Sequence, residues 1–237
     1  MLKSSCPFSF YRVSPDVSPQ FFATVYNANR MVPYLGVDPL SRPGCWAYAD
    51  MLVVGNRAVD APWVLPLSRD EAQSHFSMWA VTSSPLVLGL DMADEATLAE
   101  AWPVIANTEV LAISQSYNGH PGRLILNSSD YLVKHCALWA SGMGGHNCTL
   151  PTWQVWAKKM AAGAVAMLAV NVGDDAVALN VSLPLLGFDE KVFVRDLWAH
   201  SDNGTASGEL NTGPLIPHSC VFILLTPVAS AASALSD

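Results

Sequence analysis

Apolar and polar positions alternate in two different rhythms along this chain. In the first 123 residues, short continuous apolar runs are separated by stretches with helical spacing. Residues 51–54 (MLVV) and 85–90 (PLVLGL) read as fully buried strands. Between them Ser68-Arg69-Asp70-Glu71 has the form of a capping box, and it opens a helix with Phe76, Trp79 and Ala80 on one face. Residues 97–106 and 109–116 read as two further helices, with a break near Pro103. Buried strands alternating with helices predict α/β organisation around a parallel sheet or barrel. From about Thr152 the rhythm changes. Residues 154–158, 165–171, 177–183, 191–197 and 221–226 are short runs rich in Val, Leu, Phe and Trp, separated by Gly, Asp and Asn. That pattern predicts antiparallel strands of a small β-sandwich. The expected division is therefore 1–123, an α/β part; 124–151, a polar, Gly-rich insertion or linker; 152–228, the sandwich; and 229–237, a small-residue tail that frays.

Composition narrows the partners. The chain has 237 residues, 51% apolar and 14% charged, with net charge −8 from 12 basic and 20 acidic residues. No Lys/Arg cluster favours nucleic acid or an anionic membrane, and no apolar run approaches a membrane span. The N-terminus MLKSSCPFSF lacks the apolar core of a signal peptide. Four N-x-S/T sequons, at Asn127, Asn147, Asn180 and Asn203, nevertheless point to the secretory route, so a front end is expected upstream. Of the five cysteines, Cys136 and Cys148 flank a Gly/Ser-rich stretch and are expected to form a disulfide. Cys6, Cys45 and Cys220 have no evident partner and read as buried thiols. The six histidines show no metal-ligand spacing, so no metal site is expected, and His75 reads as a core histidine. Ser83-Ser84 lacks the setting of a nucleophilic serine.

One stretch carries chemistry. In RPGCWAYADMLVVGN, residues 42–56, Asp50 stands directly before an apolar run. A carboxylate there is costly to bury unpaired, and barrel enzymes place their chemistry at strand ends. The stretch resembles the Pro-Gly-x-Trp-x-x-x-Asp-Met-Leu-x-x-Gly motif of the melibiase-type α-galactosidases, a family that includes α-N-acetylgalactosaminidases. The resemblance continues in order through SRDEAQSHFSMWAVTSSPLVLGLD, NTEVLAISQSYNGHPGR, VWAKKMAAGAVAMLAVNVG and VRDLWAH. It covers about residues 10 to 228.

This resemblance implies the C-terminal part of a (β/α)₈ TIM barrel followed by an antiparallel β-sandwich. It implies a hydrolase that cleaves terminal α-linked galactosyl residues with retention, using two aspartates and no cofactor. Arg12-Val-Ser-Pro-Asp16 is similar to the family's acid/base segment, which makes Asp16 the acid/base and Arg12 a pocket residue. Asp50 and Met51 match a pair lining the same pocket. From their residue type alone, Trp46 and Tyr48 read either as a stacking surface for a sugar or as core aromatics. At 47–49 this chain has Ala-Tyr-Ala where many relatives have Asn-Asp-Pro. The family's nucleophile lies upstream in a Lys-x-Asp-x-Cys segment that has no match here, so the chain looks like the C-terminal portion of a longer enzyme, inactive alone. The implied substrate is an α-galactoside oligosaccharide or glycoconjugate, met in a secreted or lysosomal/vacuolar setting. The rival reading is a non-catalytic carbohydrate-binding or structural module. The sequence leaves galactose against N-acetylgalactosamine, and the oligomeric state, open.

Overall fold

A computed structural model describes residues 6–56, 65–136 and 146–228. The α/β part opens with β1 (Phe10–Arg12), α1 (Phe21–Arg30) and β2 (Trp46–Tyr48). β1 and β2 pair in parallel, Tyr11 opposite Ala47. α2 (Arg69–Val81), α3 (Glu95–Ile105) and α4 (Thr108–Gln115) follow. The capping box at the start of α2 is formed in both directions: Glu71 N–H donates to the Ser68 hydroxyl, and Ser68 N–H to the Glu71 carboxylate. Phe76, Trp79 and Ala80 are fully buried.

Two local expectations are corrected. Residues 51–54 and 85–90 are not strands; they meet in a single parallel bridge, Leu52 with Leu88. Asp50 enters with φ 87° and Gly55 turns with φ 77°, so extended backbone cannot continue on either side of Leu52. Met51, Val87 and Leu88 are exposed, whereas Leu52, Val53 and Val54 are buried. The break between the second pair of helices also lies later than Pro103. Pro103 sits inside α3, in its last turn, and the chain breaks at Asn107, whose side chain accepts the N–H groups of Glu109 and Val110 and so starts α4.

The β part is a six-stranded antiparallel sheet with a two-stranded partner. β3 (Arg123–Asn127) and the hairpin β4 (Tyr131–Cys136) with β5 (His146–Pro151) come first. Then follow β6 (Trp153–Lys159), β7 (Val165–Asn171), β8 (Val177–Ser182), β9 (Val192–Asp196), β10 (Ser201–Ala206), β11 (Glu209–Leu215) and β12 (Cys220–Pro227). The large sheet runs β10-β9-β12-β7-β6-β3, and β11 pairs with β8. The stretch 124–151 thus carries most of β3 and all of β4 and β5.

β7 explains how the two parts join. All seven of its residues are buried, because each face of the large sheet is covered. Val165, Met167 and Ala169 point into a core shared with Leu179, Val181 and Leu210 of the small sheet. Ala166, Leu168 and Val170 point into a second core with Phe76 and Trp79 of α2. An apolar run without alternation is what two covered faces require. At this seam Lys158 is 1% exposed, yet its Nζ donates to Ser83 Oγ at 2.7 Å, Ile113 O at 2.5 Å and Ser114 O at 3.2 Å. The last two are carbonyls at the end of α4, so the ammonium caps the negative pole of that helix from the neighbouring sheet.

Burial pushes the Lys158 amine down from its ordinary 10.5 to about 7. Between those values the unfolded chain holds the proton more tightly than the folded one. Stability therefore rises with pH across this window and is lost as pH falls towards 7. Urea unfolding of the chain and of Lys158→Met at pH 7, 8.5 and 10 checks this: the pH-dependent difference between the two is expected to be confined to that window, and parallel curves would remove Lys158 as its source.

Candidate active site

The candidate site sits at the carboxyl ends of the two parallel strands, where α/β enzymes carry their chemistry. Arg12 ends β1, and Asp50 lies two residues beyond β2. Arg12 bridges both carboxylates: one guanidinium nitrogen is 2.7 Å from Asp16 Oδ1 and the other 3.4 Å from Asp50 Oδ1. Burial works against the Arg12 charge, but its hydrogen bond to Asp16 and the negative charges of Asp16 and Asp50 outweigh this and raise its pKa.

The two carboxylates differ in setting. The Asp16 side chain is half exposed at 49%, open to a ligand, whereas that of Asp50 is only 7% exposed. Asp50 Oδ2 accepts the N–H of Val17 at 2.8 Å, and the Asp50 carbonyl accepts Trp79 Nε1–H at 2.7 Å. The Asp50 carboxylate is therefore paired within the chain, by the N–H of the residue following Asp16 and by Arg12. A second tie comes from Asn27 on α1. Its buried amide donates to Pro15 O at 3.0 Å and Ala49 O at 3.1 Å, the carbonyls just before Asp16 and Asp50. Sequence reading missed Asn27; a polar residue on the apolar face of a helix was the available signal. It also missed Trp79 as the group that fixes the Asp50 backbone.

The remaining residues frame the same end. Trp46 is half-buried, with its ring edge-on to Tyr117 at 5.6 Å. Tyr48 is buried against Phe10; burial first, and then the charge of Asp50, push its phenol up to about 12. Met51 is exposed beside Gly89, where a side chain would collide with its sulfur. His75 is fully buried and accepts Val53 N–H through Nε2 at 3.0 Å; burial pushes it down to about 3, so it stays neutral.

The starts of β1 and β2 are tied by a disulfide. Cys6 bonds Cys45, correcting the reading of both as thiols. Adjacent parallel strands bring their preceding residues together, a long-range contact that spacing alone does not reveal. The expected Cys136–Cys148 bond is present and links β4 to β5. Cys220 is a free thiol, raised to about 11 mainly by burial. Replacing Cys6 and Cys45 together by Ser is expected to cost about 2–4 kcal/mol, read as a lower urea midpoint; an unchanged midpoint would show that the bond does not hold the strand ends.

Two parallel strands thus end in a guanidinium between two carboxylates, with helices and an antiparallel sandwich behind them. A family model described as alpha galactosidase A matches residues 26–116, and one described as the alpha galactosidase C-terminal beta sandwich domain matches residues 151–225. Over these two stretches the chain resembles the melibiase-type family. It is 29% identical to an alpha-galactosidase of Cyamopsis tetragonoloba over 78% of this chain and 38% of that protein. It is 26% identical to a probable alpha-galactosidase of Dictyostelium discoideum over 92% of this chain and 49% of that one. The chain thus spans half or less of these relatives.

Among solved structures, a β-L-arabinopyranosidase of Geobacillus stearothermophilus superposes with a TM-score of 0.74 at 23% identity, covering 94% of this chain and 46% of that one. An α-galactosidase of Saccharomyces cerevisiae gives 0.69 at 19% identity, over 93% and 60%. The fold is that of the C-terminal part of a (β/α)₈ barrel followed by a β-sandwich. Trp46, Asp50 and Met51 lie within the region matched by the first family model, and Arg12 and Asp16 precede it.

Proposed function

We propose that this chain is the C-terminal portion of a retaining glycoside hydrolase acting on terminal α-linked galactosyl residues. The observation that carries the reading is the Arg12 guanidinium holding Asp16 and Asp50 together at the ends of parallel strands. Asp16 is the exposed member and acts as acid/base. It protonates the leaving oxygen, and then deprotonates the water that releases the sugar. Arg12 orients Asp16 and contributes positive charge beside the sugar. Asp50 holds Arg12 and the Asp16 segment in register and offers its remaining lone pairs to a sugar hydroxyl. Trp46 and Met51 give the apolar wall.

The attacking carboxylate comes from an upstream barrel segment. Support for that is the match to half or less of each relative's length. The exposed apolar side chains Phe10, Met51, Val87 and Leu88 beside the strand ends also support it, since barrel interiors are packed. Oligosaccharide or glycoconjugate galactosides in a secreted or lysosomal compartment are the substrate setting. All four sequon asparagines are exposed, which fits that route.

The test is an assay with an aryl α-galactoside, using the chain alone and co-produced with an upstream segment carrying Lys-x-Asp-x-Cys. Turnover in the second case, with the α-anomer of galactose released first by proton NMR, supports the reading. Absence of turnover in a well-folded reconstituted protein favours the non-catalytic module, a reading to which the pairing of Asp50 within the chain also lends itself.

A further inference from the structure

A second cleft lies away from the Arg12 cluster, where the α/β part meets the sandwich. It has a volume of about 420 Å³, within the range of small-molecule sites. Its wall brings together Arg123 of β3 and Lys159 of β6. Arg123 pairs with Ala157, and Lys159 follows two positions later, so both project from one face of the sheet. Both are exposed. Neither makes an ion pair or a side-chain hydrogen bond to any described residue. Among the described residues, no carboxylate lines the cleft. In a chain of net charge −8, two unneutralised cations side by side in a concavity are a local reversal of field.

The rest of the cleft is rigid and largely apolar. His120 is held at both nitrogens: Nε2 lies 2.7 Å from Gly36 O, and Nδ1 accepts Gly122 N–H at 3.1 Å. Burial first, and then the nearby charges of Arg123 and Lys159, push its pKa down, so it is a neutral brace rather than a third cation. Asn118 is pinned through its amide to Met160 O. Val37 and Leu185 stand exposed at the rim, at 88% and 49%. Apolar surface next to paired free cations matches a ligand with an apolar body and an anionic head.

We propose that this cleft is a binding site for a small amphiphilic oxyanion, a carboxylate or phosphate ester carried on an apolar body. The head is held by Arg123 and Lys159, and the body covers Leu185 and Val37. The site is independent of the proposed hydrolysis.

The experiment is calorimetric titration of the full chain with phenyl phosphate, inorganic phosphate and benzyl alcohol at low and at 0.5 M salt. Phenyl phosphate is expected to saturate at about 1 mM or below. Benzyl alcohol and inorganic phosphate are each expected to bind at least about tenfold more weakly, and high salt should weaken the phenyl phosphate complex. The double change Arg123→Gln, Lys159→Gln is expected to lower affinity at least about tenfold, as charge-assisted contacts are lost. Leu185→Asp is a second, single-site variant that brings a negative charge to the rim and should have the same effect. Circular dichroism confirms that each variant is folded. No saturation by about 10 mM, equal binding of the charged and neutral aryl probes, unchanged affinity in folded variants, or loss in Arg12→Gln instead would each overturn the proposal.

Discussion

Asp16→Asn, in the chain combined with the upstream barrel segment, is expected to lower kcat/KM for unactivated α-galactosides by about 10²–10⁴-fold. Asparagine keeps the shape and exposure of the side chain but has no proton to give. The loss should shrink for aryl galactosides, whose leaving group needs little protonation, because the first step then proceeds without the acid. Asp50→Asn should behave differently. An asparagine oxygen can still accept the Val17 N–H that Asp50 now receives at 2.8 Å, so the segment carrying Asp16 keeps its place. What is lost is the charge facing Arg12 and one strong acceptor for a sugar hydroxyl. The expected signature is a raised KM with a smaller fall in kcat. Steady-state kinetics on both substrate types separate the two. Equal losses in Asp16→Asn for good and poor leaving groups would take the acid/base role from Asp16.

That contrast turns on features the sequence exposes unevenly. The capping box at Ser68 and the continuous apolar run of β7 were readable, because each follows from a local rule: reciprocal caps, and two covered faces. The runs 51–54 and 85–90 look just as apolar, yet form one bridge. Their fate is set by the positive φ of Asp50 and Gly55, and only Gly55 announces itself by residue type. β10 was invisible for the opposite reason. None of its residues is buried, so it has no apolar alternation to read, and it is recruited by pairing with β9.

At the site, Arg12, Asp16 and Asp50 were nameable from motif resemblance, but their mutual pairing was not. The sequence suggested that Asp50 awaited a sugar; the fold shows that Val17 and Arg12 already engage it. Asn27 and the Cys6–Cys45 bond belong to the same class of feature. Each joins segments brought together by parallel strand pairing, which no spacing rule encodes.

Gly122→Ala is expected to be the most destabilising single substitution considered, about 4 kcal/mol or more. Gly122 adopts φ 101°, outside the ground available to alanine. A Cβ there would lie 1.8 Å from the carbonyl oxygen of Val81 and 3.2 Å from Lys158 Cβ. The first neighbour is backbone at the end of α2, and the second carries the buried ammonium that caps α4, so neither can yield cheaply. Opening this contact would also pull Gly122 N–H from His120. Gly119 provides the control. It too has positive φ, 77°, but nothing lies within 4 Å of its would-be Cβ. Gly119→Ala should therefore cost only about 1–2 kcal/mol, the conformational penalty alone. Urea unfolding of both variants reads the difference as the cost of the steric contact between α2 and the sheet. Equal, small losses would mean that the two parts of the chain separate at this seam with little resistance.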